Sequence, residues 1–157
     1  MLANIYAMLI SVTLIVGTVF IHYEVLTTRW PVEKQFTSVR RGMIRLLAAI
    51  FFAHVAEIVL YGAAYFLMHG HFGLGTLTGA MDGTVMDYMY FSAVSYTTLG
   101  FGDVIPAGPI RIVCAIESLN GLVLIGWSTS YTYLAMQRFS RAARRLHADL
   151  HPDAGVS

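Results

Sequence analysis

The sequence predicts an all-α membrane protein: three transmembrane helices and one short re-entrant segment. Three observations predict it. Hydrophobic residues make up 57% of the 157 residues and charged residues only 12%, against about 25% charged in a soluble domain. Three apolar runs are long enough to cross a hydrocarbon layer of ~30 Å. Nine of the ten Lys and Arg residues fall on one side of those runs, the pattern of a cytoplasmic face. Composition therefore argues against a soluble enzyme, a disordered chain and a nucleic-acid binder. The net charge of +1 offers no global field to a polyanion. The single cysteine, Cys114, excludes an intramolecular disulfide and a multi-cysteine metal site.

Residues 2–23 contain no Asp, Glu, Lys or Arg, and as a helix would be roughly 33 Å long. They lack the basic start and small-residue cleavage site of a removed leader, so residues 1–24 read as a retained span. Residues 25–43 are a basic cytoplasmic linker in which Trp30 is the expected interface anchor. The second apolar run, 46–68, is interrupted by His54 and Glu57 and sets a helix over 44–68. Residues 69–84 hold five of the 14 glycines and read as an outer loop. Residues 85–97 are apolar and aromatic but too short to span, so they enter and leave on one side. Non-helical backbone at that depth must be buried in protein or line a watery path. The third run, 110–136, carries Arg111, Glu117 and Asn120, and Pro109 suits the first turn of a helix over 109–137. Residues 138–157 form a basic cytoplasmic tail whose Phe139, Leu146 and Leu150 could touch lipid or a neighbouring tail.

Between the short segment and the third span lies Ser95-Tyr96-Thr97-Thr98-Leu99-Gly100-Phe101-Gly102-Asp103. Gly100 and Gly102 give conformational freedom at alternate positions. Successive carbonyls aimed to one side need such freedom, and carbonyls on a common axis can replace the hydration shell of an ion. The string resembles the filter motif of potassium channels, T-x-G-[YF]-G-D, and the resemblance covers roughly residues 46–137. It implies a pore domain over 44–137: outer helix 44–68, outer loop 69–84, pore helix 85–97, filter 98–103 and inner helix 109–137. It implies potassium as the permeant ion, held by the carbonyls of Thr98, Leu99, Gly100 and Phe101 and by the Thr98 hydroxyl, with Gly102 completing the strand. Leu99 and Phe101 side chains would brace the filter from behind. One strand per chain implies a homotetramer in membrane lipid, with no other cofactor and no enzymatic activity.

Two residues depart from the commoner pattern: Leu99 stands where valine or isoleucine is more usual, and Phe101 replaces tyrosine. Val94 occupies the place where some channels put a buried glutamate behind the filter. Asp103 then lacks that carboxyl partner, and Tyr90 is the candidate donor to it. A non-selective cation channel on the same scaffold and a non-conducting scaffold subunit are the competing readings. The plain alternative for the motif itself is a glycine-rich turn between two spans.

Polar residues within the spans form two stripes. Glu117, Asn120, Gly121, Leu124 and Ser128 share one face of the third span, where they either line the cavity below the filter or sit behind the pore helix. Gly121 is a candidate gating hinge or a packing glycine, and Gly126 a second candidate for either role. His54, Glu57, Tyr61 and Tyr65 share a face of the second span, as a proton sensor or as a buried network between helices. A metal site of His54, Glu57 and Glu117 is conceivable, but H-x-x-E lacks the second histidine of the zinc-protease motif. The first span has no arginine series and cannot carry gating charge. The charge pattern and the lack of an organellar targeting segment point to a bacterial inner membrane, with the N-terminus and the 69–84 loop outside.

Overall fold

The computed structural model describes residues 1–28 and 36–150, with backbone alone for 36–39 and 142–150. It is mainly helical: α1 (Leu2–Thr27), α2 (Phe36–Gly70), β1 (Thr76–Gly79), α3 (Val85–Tyr96), β2 (Val104–Ala107) and α4 (Ile110–Leu150). Leu2–Thr27, Arg40–Gly70 and Ile110–Arg141 are long and apolar enough to cross a membrane, so this is an integral membrane protein. Trp30 lies outside the described residues, as do the side chains of Leu146 and Leu150.

Three differences from the sequence reading have simple causes. The helix around the second apolar run begins at Phe36 rather than 44, and α4 runs to Leu150 rather than 137. Apolarity ends where hydrocarbon ends, but Arg, Ala, Leu and Gln in the flanks remain good helix formers. The 69–84 segment is not all loop. Its residues 76–79 pair antiparallel with β2, Thr76 opposite Ala107 and Gly79 opposite Val104. Four residues are too few for a period-two pattern to stand out. Phe139, expected at lipid or a neighbouring tail, is instead buried with Leu26, Leu46, Ile50 and Ala135.

The core sits between α1, α2 and α4, with α3 and the small sheet at one end. Ala7, Ser11, Leu14, Thr18, His22 and Leu26 are the buried residues of α1, spaced three or four apart on one face. The opposite face exposes Leu9, Val12, Val16 and Phe20. In lipid both faces could be apolar at no cost, so small residues and interhelical hydrogen bonds decide which face packs.

Candidate ion-conduction site

The site begins with the orientation of α3. Thr84 caps its N-terminus in a capping box: Thr84 Oγ1 accepts from the Asp87 N–H at 3.4 Å, and Asp87 Oδ2 accepts from the Thr84 N–H at 2.8 Å. The Thr84 backbone N–H holds the Asp87 carboxyl below the usual carboxylate range. The box therefore persists at neutral pH and is lost as pH falls through that lowered value. At the other end the chain folds back on the helix. Thr97 N donates to Ala93 O (3.1 Å), Thr98 N to Ser95 O (3.0 Å), and Leu99 N and Gly100 N both to Val94 O (3.0 and 3.3 Å). The amides of Thr98, Leu99 and Gly100 are consumed in closing α3, and among the described residues no hydrogen bond reaches the carbonyls of 98–101.

The backbone of that strand alternates in handedness. Thr98, Gly100 and Gly102 have φ of +58°, +55° and +79°, while Leu99 and Phe101 stay out of the positive region. Such alternation turns successive N–H groups to one side and carbonyls to the other. A Cβ on Gly100 or Gly102 would meet nothing within 4 Å in the chain, so conformation rather than space calls for glycine there. Thr98 adopts the left-handed region with a β-branched side chain, a conformation costing roughly 1–2 kcal/mol. The run of amide bonds to α3 over-determines it.

Asp103 ends the strand. Its Oδ2 accepts from Tyr90 Oη at 2.6 Å and its Oδ1 from the Val104 N–H at 3.1 Å. The hydrogen bond from Tyr90 to Asp103 raises the tyrosine hydroxyl above its ordinary value. The Asp103 carbonyl accepts from Ala80 N at 2.9 Å. Gly79 passes so close that a Cβ there would lie 2.0 Å from that oxygen. Asp103 is thus tied both to α3 and to β1. Tyr90→Phe should fold normally but lose current faster during sustained conduction. Unchanged decay in planar-bilayer recordings would mean that the β1 contact alone holds the strand.

The two polar stripes lie behind and below the strand. Glu117, fully buried, accepts from Tyr65 Oη and lies 2.6 Å from Ser92 Oγ on α3. Asn120 Nδ2 donates to Thr18 Oγ1 of α1 at 2.8 Å and to Tyr61 Oη at 3.3 Å. This stripe of α4 therefore faces α1, α2 and α3. Gly121 lies against the end of α3, where a Cβ would be 2.2 Å from the Tyr96 carbonyl oxygen; one on Gly126 would meet nothing. Glu57, also fully buried, accepts from Tyr96 Oη, lies 2.9 Å from His22 Nδ1 and lies 3.2 Å from His54 Nδ1. The trio of His54, Glu57 and Glu117 is not brought together as one cluster; Glu117 has its own partners, and His22 of α1 takes its place. Sequence reasoning missed His22, Thr18, Ser92 and the role of Tyr96. The signal was present: Ser11, Thr18 and His22 recur at seven and four residues in an otherwise apolar run.

A strand of unused carbonyls, entered from the C-terminal end of a half-span helix whose dipole favours cations there, defines the pore loop of an ion-channel subunit. A family model described as ion channel matches residues 43–138, more than half of the chain. The chain belongs to that family, with a pore domain of the potassium-channel type. It is 28% identical over 122 residues to two pore potassium channel b of Oryza sativa subsp. japonica, an alignment covering 75% of this chain and 32% of the relative. The chain thus spans about a third of the length of that curated relative. No solved structure matches it. The family match excludes α1.

Proposed function

We propose that four copies of this chain form a potassium-selective channel that passes the ion down its electrochemical gradient. The observation that carries the reading is the strand 98–102, with left-handed backbone at every second residue and, among the described residues, no hydrogen-bond partner for the carbonyls of 98–101. Those four carbonyls and the Thr98 hydroxyl are the proposed ligands of potassium. One strand offers oxygens from one side only, so a closed ring needs copies arranged about an axis. Leu99 and Phe101, 58% and 66% exposed in the single chain, supply apolar surface for a neighbouring copy to cover. The basic linker and tail orient the chain with its C-terminus in the cytoplasm and its N-terminus outside, in a bacterial plasma membrane.

Potassium flux into liposomes holding the purified protein tests this, with sodium substitution, barium block and a Gly100→Ala control. The expected result is barium-sensitive flux that prefers potassium and is lost in the control, because alanine in the left-handed region costs about 1–2 kcal/mol in each strand. Equal sodium flux would replace this reading with a non-selective pore. Absence of flux from a cross-linked tetramer under every gradient would favour a scaffold subunit.

A further inference from the structure

We propose that His22, His54 and Glu57 form a binding site for a divalent transition-metal ion of the zinc class, set between α1 and α2 beneath the filter strand. The proposal does not rest on potassium conduction, since its test reads bound metal and not current.

His54 and Glu57 lie one turn apart on α2, and His22 faces them from α1. The side chains of His22 and Glu57 are fully buried, and that of His54 is 18% exposed. The Nδ1 atoms of the two histidines converge on different oxygens of one carboxylate, at 2.9 and 3.2 Å. All three ligand atoms lie within 4.8 Å of one another. Ligands ~2.1 Å from a tetrahedral ion sit ~3.4 Å apart, so small side-chain rotations would admit one. Two histidines and a glutamate form a recognised zinc ligand set. Tyr96 Oη, 2.8 Å from His54 Nδ1 and donating to Glu57, would supply the fourth ligand.

The outer contacts strengthen the case. Ser128 Oγ lies 2.8 Å from His22 Nε2 and 3.1 Å from His54 Nε2. A partner on the far nitrogen is what holds a metal-binding histidine in its tautomer and orientation. With both Nε2 atoms donating to Ser128 Oγ, both Nδ1 lone pairs turn toward Glu57, the arrangement that a cation held by the three ligands would complete. Two nitrogens, a carboxylate and a phenol oxygen suit zinc, cobalt or copper better than the all-oxygen preference of magnesium or calcium.

Cobalt(II) is the probe. The full-length protein in detergent, stripped with chelator and exchanged into metal-free buffer, is titrated with CoCl2 and read in the visible. The expected result is the intense band set of four-coordinate cobalt, saturating at one ion per chain and displaced by ZnCl2. His22→Gln, which keeps a polar side chain at the position, should abolish the bands. Ser128→Ala should weaken binding ~10- to 100-fold. His71→Gln, an exposed residue of the outer loop, should bind as the parent does. Elution volume and helicity of each variant report folding separately. Cobalt bands that survive in His22→Gln would overturn the proposal. So would a parent protein that takes up no cobalt.

Discussion

Gly121→Ala should abolish ion flux through the channel and lower the thermal stability of the protein in detergent. A methyl at this position would lie 2.2 Å from the Tyr96 carbonyl oxygen and 3.0 Å from the carbonyl carbon. Backbone cannot swing away as a side chain can, so α4 and the end of α3 must separate. Overpacking of this kind costs about 1–3 kcal/mol. The functional cost should exceed the stability cost, because Tyr96 stands two residues before Thr98 and the displaced turn carries the carbonyls that anchor the strand. Gly126→Ala is the internal comparison. Nothing in the chain lies within 4 Å of its Cβ position, and alanine is the better helix former by about 1 kcal/mol. That variant should be as stable as the parent or more so. Equal losses in the two variants, by thermal unfolding and liposome flux, would show that the approach of α4 to α3 is not what Gly121 provides.

Glu117→Ala should destabilise the protein by about 1–3 kcal/mol, since it strands the buried Tyr65 Oη, while Ser92 Oγ keeps the Ile58 carbonyl as an acceptor at 2.8 Å. Glu117→Gln retains an amide oxygen that can accept one of those bonds and should lose about a third as much. The two substitutions remove the same carboxyl group. A difference between them therefore reports hydrogen bonding, and identical unfolding curves in detergent would mean that the carboxylate is not the group on which α2 and α3 converge.

The three spans were legible because hydrocarbon thickness imposes a length and lipid excludes charge. The pore loop was legible because carbonyls on one side demand glycine at alternate positions. Thr98 shows where that logic stops. A β-branched residue gives no sign of left-handed backbone, and only the amide bonds to Val94 and Ser95 impose it. For the polar stripes, periodicity placed Glu117 and Asn120 on one face of α4 and His54 and Glu57 on one face of α2. It could not say how those faces are rotated and shifted against each other. That relation is set by contacts far apart in sequence, such as Asn120 with Thr18 and Ser128 with His22. The first span illustrates this most clearly. Its apolar surround made it read as an accessory helix, yet Thr18 and His22 bond to α4, and His22 also to α2. Strand β1 was hidden for a different reason, being four residues long and defined by its partner across the filter.

The most direct measurement is the reversal potential of reconstituted channels with potassium on one side of a bilayer and sodium on the other. Carbonyls of residues 98–101 arranged about one axis predict a reversal displaced strongly toward the potassium equilibrium potential, and loss of that displacement in Gly100→Ala. A reversal near zero in the unmodified protein would contradict the account.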